Sequence, residues 1–174
     1  MKFNTLASIL FFALALTACS SGDKPPADAK EARELMTGKT WAVKDVGLLE
    51  ASFRANKGEV FVHTINWLLI TDSIKAKFVK AKLTLDVNPN PNDGLGDIAH
   101  LDGLKLWEKQ HYMFTSTQED SPLDRTIKLY VIAEDSIGGV MQYPFTILQA
   151  NSKKVLLLAP KEIGVGNLVL SMER

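Results

Sequence analysis

The chain of 174 residues has little cysteine, and what it has is one residue, Cys19. A single thiol cannot close an internal disulfide or build a multi-thiolate metal site, so core packing alone must hold the fold together. Charge of one sign is lacking too. Twenty basic side chains face 20 acidic ones, which leaves no electrostatic footprint for nucleic acid. Histidine is scarce: His63, His100 and His111 are the three present, and no two stand at the close spacing of a zinc pair. No Gly-x-Ser-x-Gly, no phosphate-cradling glycine loop and no His-Glu-x-x-His occurs, so no catalytic residue is assigned. Internal repeats are absent, and Leu6 to Leu16 is the one long apolar run. At that length it falls short of the ~20 residues a spanning helix needs.

That run has a specific context. Lys2 precedes it as a positive flank, and small residues follow it, the order of an export signal. The run ends in Leu16-Thr17-Ala18-Cys19, which resembles the bacterial lipobox. The resemblance implies cleavage after Ala18, diacylglycerol on the Cys19 sulfur and an acyl chain on the new amine. Apart from these covalent lipids no cofactor is expected. Several acyl chains, each adding ~0.8 kcal/mol per buried methylene, make a lasting anchor where one would not. Ser20 in place of Asp after the lipidated residue favours the outer membrane by the same resemblance. The expected location is the cell envelope, with the domain facing the periplasm or the surface.

Removing residues 1–18 takes away one basic side chain, Lys2, and leaves 19 basic against 20 acidic groups in 156 residues (174 minus 18). That length suits one domain. Cys19 to Asp28 is polar with a Pro-Pro, and reads as the lipidated residue followed by a flexible tether. The domain is expected over 29–174. Ala29 to Met36 carries good helix formers, with Asp28 placed to cap it and Gly38 close after its end.

From Thr40 the pattern is that of strands: Thr40 to Val46, Glu59 to Ile65, Val79 to Val87, Lys105 to Thr117, Thr126 to Glu134, Val140 to Ala150, Lys153 to Pro160 and Asn167 to Met172. Gly47 to Lys57 fits a short helix as well as a strand. Ile74, Ala76 and Phe78 alternate out of phase with Val79 to Val87, which a bulge near Phe78 would reconcile. Asn88 to Gly103 reads as one long irregular loop. Sequential strands with short turns and no helix between them predict an all-β, antiparallel up-and-down meander, closing into a barrel of about eight strands behind a short N-terminal helix.

Thr37-Gly38-Lys39-Thr40-Trp41-Ala42-Val43, the helix before it, the meander after it and the closing Leu168 to Arg174 resemble bacterial lipocalin-like (calycin) domains. The resemblance implies a barrel plugged at one end by Trp41, with a binding function for a small apolar or amphipathic ligand.

Two further groups of residues could carry function. Asp86, Asn88, Asn90, Asn92, Asp93, Asp97, His100 and Asp102 put oxygen ligands at alternate positions, but Pro91 stands where a calcium loop turns on glycine, so no metal site is assigned. The strand aromatics Trp67, Trp107, Tyr112, Phe114, Tyr143 and Phe145 are the candidate pocket residues. Tyr112 shares a face with Phe114, and Tyr143 with Phe145, because each pair is two apart. Whether they line a cavity or fill it is open. Two functions are therefore expected: a membrane-anchored module for a small apolar or amphipathic ligand, or a filled barrel that acts on another envelope protein as inhibitor or accessory.

Overall fold

The computed structural model describes residues 24–55, 60–90, 96–104, 109–117, 126–164 and 166–174. Residues 1–23, which carry the expected export signal, Cys19 and the start of the tether, lie outside that set, as do Trp107 and residues 91–95. Among the described residues are two helices and nine strands: α1 (Ala29–Met36), β1 (Lys39–Ala55), β2 (Val60–Asn66), α2 (Asp72–Phe78), β3 (Lys82–Asp86), β4 (Asp97–Asp102), β5 (Lys109–Thr117), β6 (Thr126–Glu134), β7 (Val140–Ala150), β8 (Lys154–Leu158) and β9 (Leu168–Glu173). All strand pairs are antiparallel, in the order β2-β1-β3-β4-β5-β6-β7-β8-β9. Pairing of β1 with β9, from Ala42↔Glu173 to Leu48↔Leu168, closes eight of them into a barrel. The expected all-β meander with a short N-terminal helix is the fold observed.

Alternation builds the interior. Along β6, Ile127, Leu129, Val131 and Ala133 are buried while their neighbours are not, and their partners Tyr143 and Phe145 in β7 join the same core. Leu83, Leu85, Val155, Leu157, Leu168, Leu170 and Met172 complete one continuous cluster. One end of it is stoppered by α1, whose Ala32 and Met36 are fully buried, and by Trp41, whose indole N–H donates to the Met36 carbonyl at 3.1 Å. Asp28 caps α1 by accepting from the Glu31 N–H at 2.8 Å, and the Glu31 carboxylate accepts from the Ala27 N–H in return. Gly38 then turns the chain at φ 71° into β1.

The structure departs from the sequence reading in three places. Residues 72–78 are α2, not the start of a bulged strand: Thr71, Asp72 and Ser73 open a helix, Ile74 and Phe78 fall four apart on its core side, and β3 begins only at Lys82. Asp97–Asp102 is a strand within the stretch expected to be a loop, with Ala99 and Leu101 buried and Ile98 half-buried beside them. Gly47 to Ala55 is strand and not helix, since β1 continues through it to pair with β2. The chain also begins to pack before Ala29: Pro26 is buried, and the Ala150 N–H reaches the Lys24 carbonyl at 3.3 Å.

The β1–β2 hairpin forms an arm over the outside of the barrel. His63 of β2 donates through Nε2 to the Leu148 carbonyl of β7 at 3.1 Å, although β9 and β8 lie between β1 and β7 in the sheet. A register shift between Ile147 and Gln149 sits at that carbonyl. The Ser52 hydroxyl stands 2.9 Å from His63 Nδ1, which accepts its proton in this tautomer. Beneath the arm Leu148, Leu156 and Val169 form a second, outer cluster with Leu49, Ile65, Trp67 and Leu158 against it. Those strands are thus buried on both faces.

Trp67 lies over Gly47: a Cβ there would meet Trp67 Cε3 and Ile65 Cγ2, each at 2.7 Å. Gly47→Ala is therefore expected to cost about 1–3 kcal/mol in urea unfolding, and the penalty should shrink in a Trp67→Ala background, which removes one of the two clashing groups.

Acid should loosen the same arm. Burial lowers the His63 pKa from its ordinary 6.5, with the Leu148 carbonyl opposing it. A histidine whose folded pKa lies below its unfolded one binds its proton more readily unfolded. Its contribution is whole above pH 6.5 and is lost as pH falls from there through the lower, folded value. The urea midpoint should hold between pH 8 and 7 and drop towards pH 5, less steeply in His63→Gln.

Candidate functional site

Among the described residues, a site open to a ligand lies where α1 crosses the barrel rim. Among the described residues β4 and β5 share only Asp97↔Tyr112 and Ile98↔His111, whereas β5 pairs with β6 from Lys109↔Glu134 to Thr117↔Thr126. Beyond Tyr112, β5 runs on past the start of β4, and this seam opens into a cleft of about 670 Å³. Ala29, Lys30 and Arg33 of α1 form one wall, Val87, Asn88, Gly96 and Asp97 another, and Tyr112, Met113 and Phe114 the floor. A volume of that size lies within the range of small-molecule sites.

The cleft is apolar along one side and charged along its lip. Val87 and Met113 expose 57% and 49% of their surface there, and half-buried Phe114 packs edge-on to Tyr112 with ring centroids 5.6 Å apart. Opposite them Arg33 pairs with Asp97 at 2.5 Å, and Asp97 also accepts from the Asn88 N–H at 3.1 Å. These contacts tie α1 to the β3–β4 connection. Tyr112 ties it to β5, with its hydroxyl 3.0 Å from Thr37 Oγ1. Burial pushes the Tyr112 phenol up from its ordinary value, with Thr37 opposing, so at neutral pH it is a neutral hydrogen-bonding group. Nothing in this arrangement pairs a nucleophile with a base; it can hold a molecule that is apolar along one side and polar at one end.

The six aromatics named from sequence do not share one chamber. Tyr143 and Phe145 are buried in the filled interior, with 7% and 1% of their surface exposed. Tyr112 and Phe114 share a face and stand at the cleft. Trp67 is not on a strand; it follows β2 and packs on the outer cluster under the arm. Trp107 lies outside the described residues. Asp97 serves as the partner of Arg33, and no group of three or more His, Cys, Asp or Glu suited to a metal occurs among the described residues. At the other end of the barrel Asp45 accepts from Lys75 at 2.8 Å. Burial pushes this carboxyl up, but bonds from Lys75 and the Val46 N–H outweigh burial and hold it below its ordinary range.

Sequence reasoning missed Lys30, Arg33, Val87 and Met113. Met113 and Val87 sit at outward or terminal positions of their strands, where a lone apolar residue carries no signal. The α1 residues belong to the wet side of an amphipathic helix, and only the tertiary fold brings that side beside β5. Comparison with protein-family models, curated proteins and solved structures returns no match.

The two aromatic groups should respond differently to truncation. Phe145→Ala opens a hole in a closed core and is expected to cost about 3–5 kcal/mol. Phe114→Ala, at the half-open seam, should cost less than half of that in the same urea titration.

Proposed function

We propose that the chain is a bacterial envelope lipoprotein, anchored through acylated Cys19, whose barrel holds an amphipathic ligand in the α1 cleft and not in its lumen. One observation carries the second half of this reading. The inward faces are packed into a single core, while the cleft keeps Val87, Met113 and Phe114 open beside the cationic Lys30 and Arg33. A ligand with an apolar body and an anionic end matches that division, with the body against the floor and the charge at the lip. The Leu16-Thr17-Ala18-Cys19 motif and its apolar run support the anchoring half.

A second reading, action on another envelope protein, has its own support. At the opposite rim Ile137 exposes 90% of its surface, and Val140 and Met141 are exposed beside it, a small apolar patch on a rigid turn. Asp135 accepts from the Ile137 and Gly139 N–H groups at 3.0 and 2.7 Å, which fixes that turn.

Native mass spectrometry of residues 20–174 with lysophosphatidylglycerol separates the two. Ligand reading: one bound molecule, with affinity falling about tenfold (about 1.4 kcal/mol) in Phe114→Asp and unchanged in Met141→Asp. A protein that stays apo at every lipid concentration would contradict it and leave the partner-protein reading.

A further inference from the structure

The cleft and the length of chain leading to it bear on each other. Lys24 is held against the barrel through its carbonyl, which accepts from Ala150 N–H at 3.3 Å at the end of β7. Pro26 is buried behind it, and α1 starts at Ala29. Between Lys24 and Cys19 stand four residues, Ser20, Ser21, Gly22 and Asp23. Even fully extended, that stretch spans no more than about 18 Å from the Cys19 Cα to the Lys24 Cα. An acylated Cys19 lies at the membrane surface, so the rim bearing Lys24 and α1 cannot stand far from it. The far rim, with Ile137 between β6 and β7, is about 33 Å away along β7, ten residue steps at about 3.3 Å each.

We propose that this rim docks on the bilayer holding the anchor, with a phospholipid of that bilayer as occupant of the α1 cleft. This rests on the lipoprotein reading above. The headgroup phosphate lies beside Lys30, and one acyl chain runs along Val87, Met113 and Phe114. Arg33 is engaged by Asp97, whereas among the described residues Lys30 pairs with Glu34, at 3.9 Å and with both side chains mostly exposed, a pairing weak enough to yield to a phosphate. Val87 and Met113 are among the larger exposed apolar side chains of the described residues, and both face the cleft on the rim nearest the anchor. The short tether from Cys19 to Lys24 thus sets orientation: it is too short to let the barrel turn its other end to the membrane.

Acylation at Cys19 leaves no free thiol in the natural chain, so an introduced cysteine reports alone. Full-length Met113→Cys and Ile137→Cys, expressed with their lipid and reconstituted in phosphatidylethanolamine–phosphatidylglycerol vesicles, are treated with a membrane-impermeant maleimide. Expected is labelling roughly tenfold slower at Met113→Cys than at Ile137→Cys on vesicles, with the difference shrinking to about the twofold that their exposures of 49% and 90% set in detergent-free, unacylated residues 20–174. A Gly/Ser insert of about 20 residues after Ser21, with a mean reach near 25 Å, should bring the two rates on vesicles together. Equal rates without the insert, on protein that carries acyl mass and floats with the vesicles, would overturn the docked orientation while leaving the anchor intact. Protein without acyl mass that fails to float would overturn both.

Discussion

One strand answers to three neighbours, and the molecule depends on that. β1 pairs with β3 over Lys39 to Ala42, with β9 over Ala42 to Leu48, and with β2 over Leu48 to Ala55. The first two pairings close the barrel; the third throws an arm over its outside. Two irregularities let one strand do all this: the shift between Val43 and Asp45, and the one between Leu49 and Ala51. Gly47 lies between them, with no side chain, so Trp67 and Ile65 can close down on the strand. Asn167, in the left-handed region at φ 65°, delivers its carbonyl to the Leu49 N–H at 2.8 Å where the arm departs.

Closure has a functional consequence. Trp41 sits at the start of this strand, fully buried, and with α1 it stops the end of the barrel. The described inward side chains then form one packed core, and in the proposed reading the ligand site lies at the rim. There α1, Arg33, Asp97 and Tyr112 shape a cleft beside β4 and β5. Lys24 meets the barrel on the same rim, so the lipid anchor and the ligand site share one end of the molecule in the reading proposed here.

Much of this was legible in the residues, for physical reasons that differ by element. Asp28, the run from Ala29 to Met36 and Gly38 encode a helix locally, and it forms within those bounds. β6 and β7 likewise follow from their alternation and turn residues. α2 escapes the sequence because Ile74, Ala76 and Phe78 also fit a period of two, and no side-chain cap marks its start at Thr71. β4 is hidden because Ile98 and Ala99 are adjacent apolar residues, which breaks the period of two within a strand of only six residues. The arm left a trace: β8 and β9 read as unbroken apolar runs, Val155 to Leu158 and Leu168 to Leu170, as strands covered on both faces do. The cleft left almost none, since it is assembled from α1, the β3–β4 connection and β5, which approach only in the closed barrel.

The most direct test of a filled barrel with its site at the rim is a residue-resolved NMR titration of residues 20–174 with lysophosphatidylglycerol below its micelle threshold. The account predicts saturable shifts confined to Lys30, Val87, Gly96, Met113 and Phe114. Shifts that instead run through Leu129, Phe145, Leu157 and Leu170 would place the ligand inside the barrel and contradict it.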